Sequence, residues 1–184
     1  LIETNFLSRH ELCNRLGINE LESFFLVTLH PETYGKHDNL RNIQQLLKAL
    51  QKFLNHKLIF TAPNVDLEAD TIRREINDFV KKNSNSFFFD SLGSTAYLSL
   101  MRYSKCVVGN SSSGIIEAPL LGAKSVNIGA RQSGRVMAKT IFSSSFNSLD
   151  IFNSINRALS GKSRQNLQKL STKDSPSSKI INVI

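Results

Sequence analysis

The sequence has few cysteines, and this scarcity limits the kinds of protein it can encode. Its 184 residues contain only two, Cys13 and Cys106, which lie far apart and belong to no metal-spaced motif. A disulfide framework needs several paired cysteines, and zinc sites need closely spaced ones. We therefore predict no disulfide scaffold and no metal site, with both thiols buried or without a chemical role.

Long apolar runs are also missing. No stretch approaches the roughly 18 apolar residues that a membrane-spanning helix requires. The first residues, LIETNFLSRHEL, lack the basic-then-apolar order of a secretory leader. We expect a cytoplasmic protein that does not interact with membranes.

Positive charge is in excess but is not concentrated. The chain has 23 Lys and Arg against 15 Asp and Glu, a formal net charge of +8, without a basic run or aromatic residues interleaved with the cations. Clustered cations and stacking aromatics are the usual signature of nucleic-acid binding. The composition favours a phosphorylated or polyanionic ligand and predicts no nucleic-acid partner.

What the sequence does contain is an alternation of short apolar runs and amphipathic stretches. Hydrophobic residues make up 40% of the chain, enough for one domain with a substantial core. Five runs are predicted to be strands: Ser23–Leu29, Lys57–Thr61, Ser86–Phe89, Lys105–Val108 and Lys124–Ile128. Five stretches have helical spacing: 39–54, 67–80, 95–103, 113–121 and 149–159. This order predicts an α/β fold, a Rossmann-like doubly wound parallel sheet, with residues 1–184 as a single domain.

The C-terminal part has a different composition. Residues 160–178 are rich in Ser, Lys and Gln, which is typical of a linker or surface tail. The last seven residues, SKIINVI, are apolar enough to dock on another surface.

Polar residues follow each of the five predicted strands. The carboxyl ends of parallel strands meet at one edge of a sheet, and ligands bind in the crevice beyond that edge. The residues concerned are His30, Asn64, Asp90 with Ser91, Asn110 to Ser113, and Arg131. Their shared position predicts a site for a phosphorylated ligand.

The stretch VVGNSSSGIIEAP, residues 107–119, is the most unusual of these positions. A helix that begins near Ser113 would direct unpaired N–H groups and the positive end of its dipole at the crevice. Three hydroxyls would add to this anion site: Ser111, Ser112 and Ser113. Gly114 would permit close backbone approach, and Glu117, one turn further, would accept hydrogen bonds from sugar hydroxyls.

Each feature also has a purely structural interpretation. Asn and Ser are preferred helix N-caps, so residues 110–113 can be a cap and nothing more. His30 can be a structural histidine bonded to the backbone, Asn64 can end a strand in a turn, and Arg131 can be a surface cation. These alternatives stay open at this stage.

Four segments of the chain resemble the UDP-N-acetylglucosamine 2-epimerases, a family with hydrolysing and non-hydrolysing branches. They are TLHP at 28–31, PNVD at 63–66, GNSSSG at 109–114 followed by Glu117, and NIGARQSGR at 127–135. The resemblance is greatest to the hydrolysing, sialic-acid-pathway type, because the other branch carries an acidic residue and paired glycines where this chain has Asn110 and serines. It implies a glycosyltransferase-B arrangement of two Rossmann-like domains, of which this chain is similar to the C-terminal, nucleotide-binding one.

The resemblance implies roles around the diphosphate of UDP. Ser111 and Ser112, with Ser113 beside them, would bind the diphosphate, and Arg131 would bind the phosphate region. His30 would lie beside the diphosphate as a catalytic residue that stabilises the departing UDP.

The resemblance also implies the nucleotide contacts and the reaction. Glu117 would bind the ribose hydroxyls, and Asn64 and the Leu92 backbone would bind the nucleotide end. UDP would be eliminated across C1 and C2 of the sugar to give 2-acetamidoglucal, and water would then add with inversion at C2 to give N-acetylmannosamine.

The acid and base carboxylates of that reaction belong to the N-terminal half of the family's protein, which has no counterpart in this sequence. We therefore expect this chain to bind a UDP-sugar but to be inactive by itself, with the N-terminal catalytic domain as its partner. The resemblance implies no cofactor and no metal, and the family's complete proteins are often homodimers.

Two other functions share some of these features. A glycosyltransferase of the same architecture also binds a sugar nucleotide in its C-terminal domain, and transfer of sugar to an acceptor would identify it. A non-catalytic nucleotide-binding or interaction module would use the +8 charge for a protein or nucleic-acid partner. Salt-dependent nucleic-acid binding without UDP affinity would identify that module.

Overall fold

One parallel sheet organises the chain. The computed structural model describes residues 5–19, 21, 23–33, 38–66 and 68–161. Six strands pair in the order β3-β2-β1-β4-β5-β6, all parallel: β1 (Phe24–Thr28), β2 (Lys57–Thr61), β3 (Ser86–Phe89), β4 (Cys106–Gly109), β5 (Ser125–Ile128) and β6 (Ile141–Ser144). This is the strand order of a Rossmann fold, and it confirms the predicted fold class.

Six α-helices and one 3-10 turn connect the strands. The helices are α1 (Arg9–Leu16), α2 (Asn39–Leu50), α3 (Ala69–Lys82), α4 (Gly93–Tyr103), α5 (Glu117–Leu120) and α6 (Ser148–Ser160), and the 3-10 turn is Ser112–Gly114. Among the described residues, no helix has both the length and the apolar character needed to cross a membrane.

The central strand β1 is buried on both faces. Phe25 and Val27 pack into a core that also includes apolar residues of α2, α3 and α6, whereas Phe24 and Leu26 pack into a second core with α1 and α4. Burying an aromatic or branched side chain contributes about 1.5–3 kcal/mol. The two cores therefore stabilise the sheet from both sides.

The strand predictions are confirmed to within one residue at each end, but two elements were missed. Edge strand β6 has two serines and is only half-buried, so it lacks the continuous apolar run that marks a central strand. In α1 only Leu12 is buried, which leaves too weak an apolar stripe to indicate a helix.

The prediction of one helix over 113–121 is wrong. The 3-10 turn is separate from α5, which has four residues. Pro119 has no N–H to donate to the carbonyl of Ile115, so a regular helix cannot run from Ser113 through it.

Other helix boundaries differ from the sequence predictions by one to four residues: α3 begins and ends two residues later than predicted, and α4 begins two residues earlier. Helix α2 ends at Leu50, four residues before the predicted end, and Leu54 beyond it is exposed. Ser160, the predicted start of the polar tail, is instead the last residue of α6. The rest of that tail from residue 162 and the apolar segment 178–184 lie outside the described residues, so a single domain over 1–184 stays a prediction.

Candidate functional site

A cleft of about 380 Å³ lies at the carboxyl edge of the sheet, where the polar residues were predicted to meet. Loops that follow β1, β2, β3 and β4 all contribute to it. The family resemblance assigns binding or catalytic roles to eight residues. Five of them line the cleft: His30, Asn64, Leu92, Ser111 and Ser113. Ser112, Glu117 and Arg131 are not among the described residues that line it.

A close approach of two strands brings the loops after β1 and β4 together. Gly109 has φ of 139°, and a Cβ there would lie 1.9 Å from the carbonyl oxygen of Thr28. Only glycine tolerates this contact, which places Asn110 directly beside His30. In the side chain of Asn110, Oδ1 accepts from the backbone N–H of His30 at 2.7 Å, and Nδ2 donates to the His30 carbonyl at 2.9 Å.

His30 is a buried, neutral histidine. Its Nδ1 accepts a hydrogen bond from the backbone N–H of Asn64 at 3.0 Å, so the ring proton is on Nε2. Burial, with the positive charge of Arg131 as a smaller cause, lowers its pKa from 6.5 to about 4, against an opposing effect of Asp66. The backbone contact anticipated in the structural alternative is present at Nδ1, and Nε2–H remains as a hydrogen-bond donor.

The serine turn after β4 is held by its own hydroxyls. Ser111 caps the 3-10 turn, and its Oγ accepts from the N–H of Ser113 at 3.4 Å and from the Ser113 Oγ at 3.0 Å. The Ser113 Oγ also lies 2.6 Å from the Tyr97 phenol oxygen. Because the following helix is so short, hydroxyl groups rather than a strong helix dipole give this turn its polarity.

Gly114 has a different structural role from the one predicted. A Cβ at this position would lie 3.1 Å from the Ser125 Oγ, so the glycine lets the 3-10 turn pack against β5. The close approach that it permits is to the sheet.

A buried carboxylate that was not among the predicted site residues fixes the loop of Arg131. Oε1 of Glu32, which is 8% exposed, accepts from the backbone N–H groups of Ala130 and Arg131, both at 3.1 Å. Gly129 has φ of 75°, and a Cβ there would lie 2.6 Å from that oxygen. The Arg131 side chain is exposed, with Nη1 3.5 Å from the carbonyl oxygen of Asn110. Glu32 follows His30 by two residues, and this proximity to the TLHP segment is the only sequence signal for it.

Gln132 was also not among the predicted site residues, although it lies in the segment 127–135. Its Nε2 donates to the carbonyl of Asn110 at 2.9 Å, which connects the loops after β4 and β5. Two buried acceptor oxygens near these loops have no hydrogen-bond partner among the described residues, Oε1 of Gln132 and Oε2 of Glu117. Both atoms are almost without exposed surface, and neither residue is among the described residues that line the cleft.

The helix that begins at the cleft is α4, which follows β3. Leu92, Gly93 and Ser94 line the cleft, and no side chain caps the first turn of this 11-residue helix. The carbonyl of Leu92 accepts from Arg15 Nη2 at 3.2 Å, which anchors this end of α4 to α1. The predicted helix N-terminus at the crevice is thus supplied by α4 and not by the serine stretch.

The described residues include no group of three or more His, Cys, Asp or Glu side chains placed to hold a metal ion. The polar groups at the cleft are amide, hydroxyl and imidazole donors with a guanidinium nearby. This set is suited to an anionic or sugar-containing ligand.

Known proteins resemble this chain over most of its length. The model of the UDP-N-acetylglucosamine 2-epimerase family matches residues 2–184. A Campylobacter jejuni protein named GDP/UDP-N,N'-diacetylbacillosamine 2-epimerase (hydrolyzing) is 40% identical over 147 residues, which are 79% of this chain and 38% of that protein.

Solved structures share the fold. A Methanocaldococcus jannaschii UDP-GlcNAc 2-epimerase, crystallised with UDP-GlcNAc and UDP, aligns with a TM-score of 0.66 at 16% identity, over 83% of this chain and 42% of that one. The ADP-heptose heptosyltransferase II of E. coli aligns with a TM-score of 0.59 at 11% identity, over 82% of this chain and 50% of that one. This chain therefore spans half or less of the length of each of these proteins. On the match over residues 2–184, the chain belongs to the UDP-N-acetylglucosamine 2-epimerase family.

Proposed function

We propose that this chain is the UDP-binding, C-terminal half of a UDP-N-acetylglucosamine 2-epimerase of the hydrolysing type. The observation that carries the proposal is the convergence of five candidate residues, from loops after four strands, on one cleft of about 380 Å³. That volume is within the range of small-ligand sites. The proposal is further supported by a relative named as a hydrolyzing epimerase and by a similar structure that holds UDP-GlcNAc and UDP.

In this proposal the diphosphate lies against the serine turn. Ser111 and Ser113 line the cleft and Ser112 is between them. The Arg131 guanidinium approaches the same turn from the loop after β5, within 3.5 Å of the Asn110 carbonyl. The hydroxyls of Ser111 and Ser112 and the guanidinium are donors that match the oxygens of a diphosphate.

His30 acts on the leaving group. Its low pKa keeps it neutral near pH 7, so it donates through Nε2–H and does not carry a charge. When the bond between C1 and the UDP oxygen breaks, negative charge develops on the diphosphate, and donors already held in position stabilise it. A base removes the C2 proton, which gives 2-acetamidoglucal, and water then adds across the double bond to give N-acetylmannosamine.

The nucleoside lies further along the same edge. Asn64 and the Leu92 backbone are on the side of the cleft formed by the loops after β2 and β3 and bind the nucleotide end. Glu117, which begins α5 shortly after the serine turn, accepts hydrogen bonds from the ribose hydroxyls. A carboxylate is the usual partner of ribose hydroxyls in Rossmann-like sites.

The chain is inactive by itself in this proposal. No carboxylate is present among the described residues that line the cleft, so the base for the C2 proton has to come from elsewhere. The chain spans only 38% of the length of its Campylobacter relative, and we assign the base to a preceding N-terminal half. The family's two-domain arrangement would place that half across the cleft.

Calorimetric titration with UDP and with UDP-N-acetylglucosamine tests the proposal. We expect saturable binding of both ligands with similar affinity, because the groups that contact the sugar belong to the other half. A Ser111→Ala, Arg131→Ala double variant should lose at least about tenfold in affinity, since it removes one hydroxyl donor and one cation.

The matched control is a Ser84→Ala, Arg74→Ala variant, which makes the same chemical changes at exposed positions away from the cleft. It should bind UDP as the unmodified chain does. Addition of the N-terminal half in trans should restore turnover, and the absence of UDP binding even with that half present would contradict the proposal.

A further inference from the structure

Five hydroxyl groups form a connected chain along the wall of the cleft. Thr61 Oγ1 lies 2.6 Å from Thr28 Oγ1, and Thr28 Oγ1 lies 3.5 Å from the Tyr97 phenol. The phenol lies 2.6 Å from the Ser113 Oγ, which lies 3.0 Å from the Ser111 Oγ. All five residues line the cleft. This series of hydroxyl groups therefore runs from the carboxyl ends of β1 and β2 to the serine turn.

The direction of these hydrogen bonds follows from Ser111, the last of the five hydroxyl groups. The Ser111 Oγ accepts two hydrogens, one from the N–H of Ser113 and one from the Ser113 hydroxyl. A serine oxygen has two lone pairs and one hydrogen, so both acceptor positions of Ser111 are occupied. Toward anything in the cleft, Ser111 can only donate.

Because each hydroxyl has a single hydrogen, the direction in which the Tyr97 phenol donates is also determined. Because the Ser113 hydroxyl gives its single hydrogen to Ser111, its oxygen can only accept from the phenol 2.6 Å away. The phenol hydrogen is thus committed to Ser113. If Thr61 donates to Thr28 and Thr28 to the phenol, all five hydroxyls point the same way, and each bond polarises the next.

We propose that Tyr97 is a positioning residue, whose phenol orients the Ser113 and Ser111 hydroxyls so that Ser111 presents its hydrogen to an unprotonated phosphoryl oxygen. The inference rests on the proposed function, in which that oxygen belongs to the diphosphate of UDP. Such an oxygen has no hydrogen and accepts only, which complements a group that only donates. Tyr97 comes from α4 and lies outside the four segments that resemble the family.

A double-mutant cycle tests the inference. Tyr97→Phe keeps the ring and removes the hydroxyl. We expect this variant and Ser111→Ala each to weaken UDP binding about three- to tenfold. The double variant should bind no more weakly than Ser111→Ala alone, because Tyr97 acts only through that hydroxyl. A purely structural role of Tyr97 would instead give additive losses, and this result would overturn the proposal.

Two further variants serve as a control and as a second test. Tyr103→Phe makes the same change at the other end of α4, beside the Arg9 guanidinium and away from the cleft, and should bind UDP normally. Ser113→Ala removes the link between Tyr97 and Ser111 without altering the aromatic ring, and should give the same loss as Tyr97→Phe. If Tyr97→Phe does not fold, judged by its thermal unfolding, the cycle is run with Ser113→Ala.

The outcomes separate this inference from the proposed function. If the unmodified chain binds UDP and Ser111→Ala weakens binding while Tyr97→Phe and Ser113→Ala do not, only the role of Tyr97 is wrong. If the unmodified chain binds no UDP even with the N-terminal half present, the proposed function fails and the inference fails with it.

Discussion

The side chain of Asn110 pairs with both backbone groups of His30. Its Oδ1 accepts from the His30 N–H at 2.7 Å and its Nδ2 donates to the His30 carbonyl at 2.9 Å, while Asn110 itself is completely buried. The carbonyl of Asn110 in turn accepts from Gln132. One residue therefore joins the loops after β1, β4 and β5, and the relative positions of the candidate groups on those loops depend on it.

Replacement of Asn110 by alanine should destabilise the protein by about 2–4 kcal/mol. Two hydrogen bonds are lost, and a buried N–H and a buried carbonyl of His30 are left without partners. Urea unfolding of the variant measures the effect. Asn153→Ala, at an exposed position on α6, is the control and should change stability by less than about 0.5 kcal/mol. Equal stability of the two variants would contradict the assigned role.

His30 should remain neutral until the pH falls well below its ordinary range. Its pKa is lowered from 6.5 to about 4, chiefly by burial, so between these values the unfolded chain binds a proton that the folded chain does not. The stability due to His30 is therefore complete above pH 6.5 and is lost as the pH falls toward 4. Imidazole NMR should show the Nε2–H tautomer at pH 7 and a titration near pH 4.

A His30→Asn variant isolates this contribution from the other titrating groups. The asparagine oxygen can still accept from the Asn64 N–H but does not titrate. Between pH 7 and pH 4.5, the free energy of unfolding should fall more in the unmodified protein than in the variant. Parallel pH profiles, or a His30 titration near 6.5, would show that the ring is not held as described.

Gly109→Ala should be among the most destabilising single substitutions in the chain. Its φ of 139° is unfavourable for any other residue, and the new Cβ would lie 1.9 Å from the backbone oxygen of Thr28. We expect a loss of more than about 3 kcal/mol, or no folded protein at all. Gly17→Ala is the control, because it also has a positive φ, 64°, but nothing within 4 Å of the added carbon. It should cost about 1–2 kcal/mol, and similar losses for both would remove the argument for a close strand approach.

Glu32→Ala should release the loop of Arg131. Without the carboxylate, the N–H groups of Ala130 and Arg131 lose their acceptor, and we expect their amide hydrogens to exchange at least about tenfold faster. UDP affinity should fall with it, because the Arg131 side chain is no longer held near the serine turn. Glu32→Gln keeps an acceptor oxygen at the same position and should preserve most of the protection. Unchanged exchange in the alanine variant would mean that the loop is held by other contacts.

The arrangement of the sheet could be predicted from the sequence because its inner strands are buried on both faces. Every residue of β1 is buried, and a continuous apolar run is the direct sequence signal of that state. Edge strand β6 faces the core on one side only and carries Ser143 and Ser144, so its sequence resembles a loop. The break in the helix around Pro119 could have been anticipated, since proline removes a helical hydrogen bond.

The candidate site was predictable in position but not in its internal connections. Strand ends place His30, Asn64 and the serines at one edge of the sheet, and that edge was predicted correctly from the order of the elements. The pairing of Asn110 with His30 depends on side-chain rotamers in the folded state and has no local sequence pattern. The same is true of Glu32, which contacts amides 98 and 99 residues away in the chain.

The pairing of β1 with β4 determines when the cleft can form as the chain folds. His30 follows β1 and Asn110 follows β4, and the two residues are 80 positions apart in the sequence. The chain between these strands forms α2, β2, α3, β3 and α4. Contacts of such long range form only after a large loop is closed, which makes them slow and highly cooperative. The first three strands can pair with one another without the cleft, whose two walls meet only when β4 docks beside β1. Ligand binding during refolding therefore reports completion of the central sheet and not the formation of any local segment.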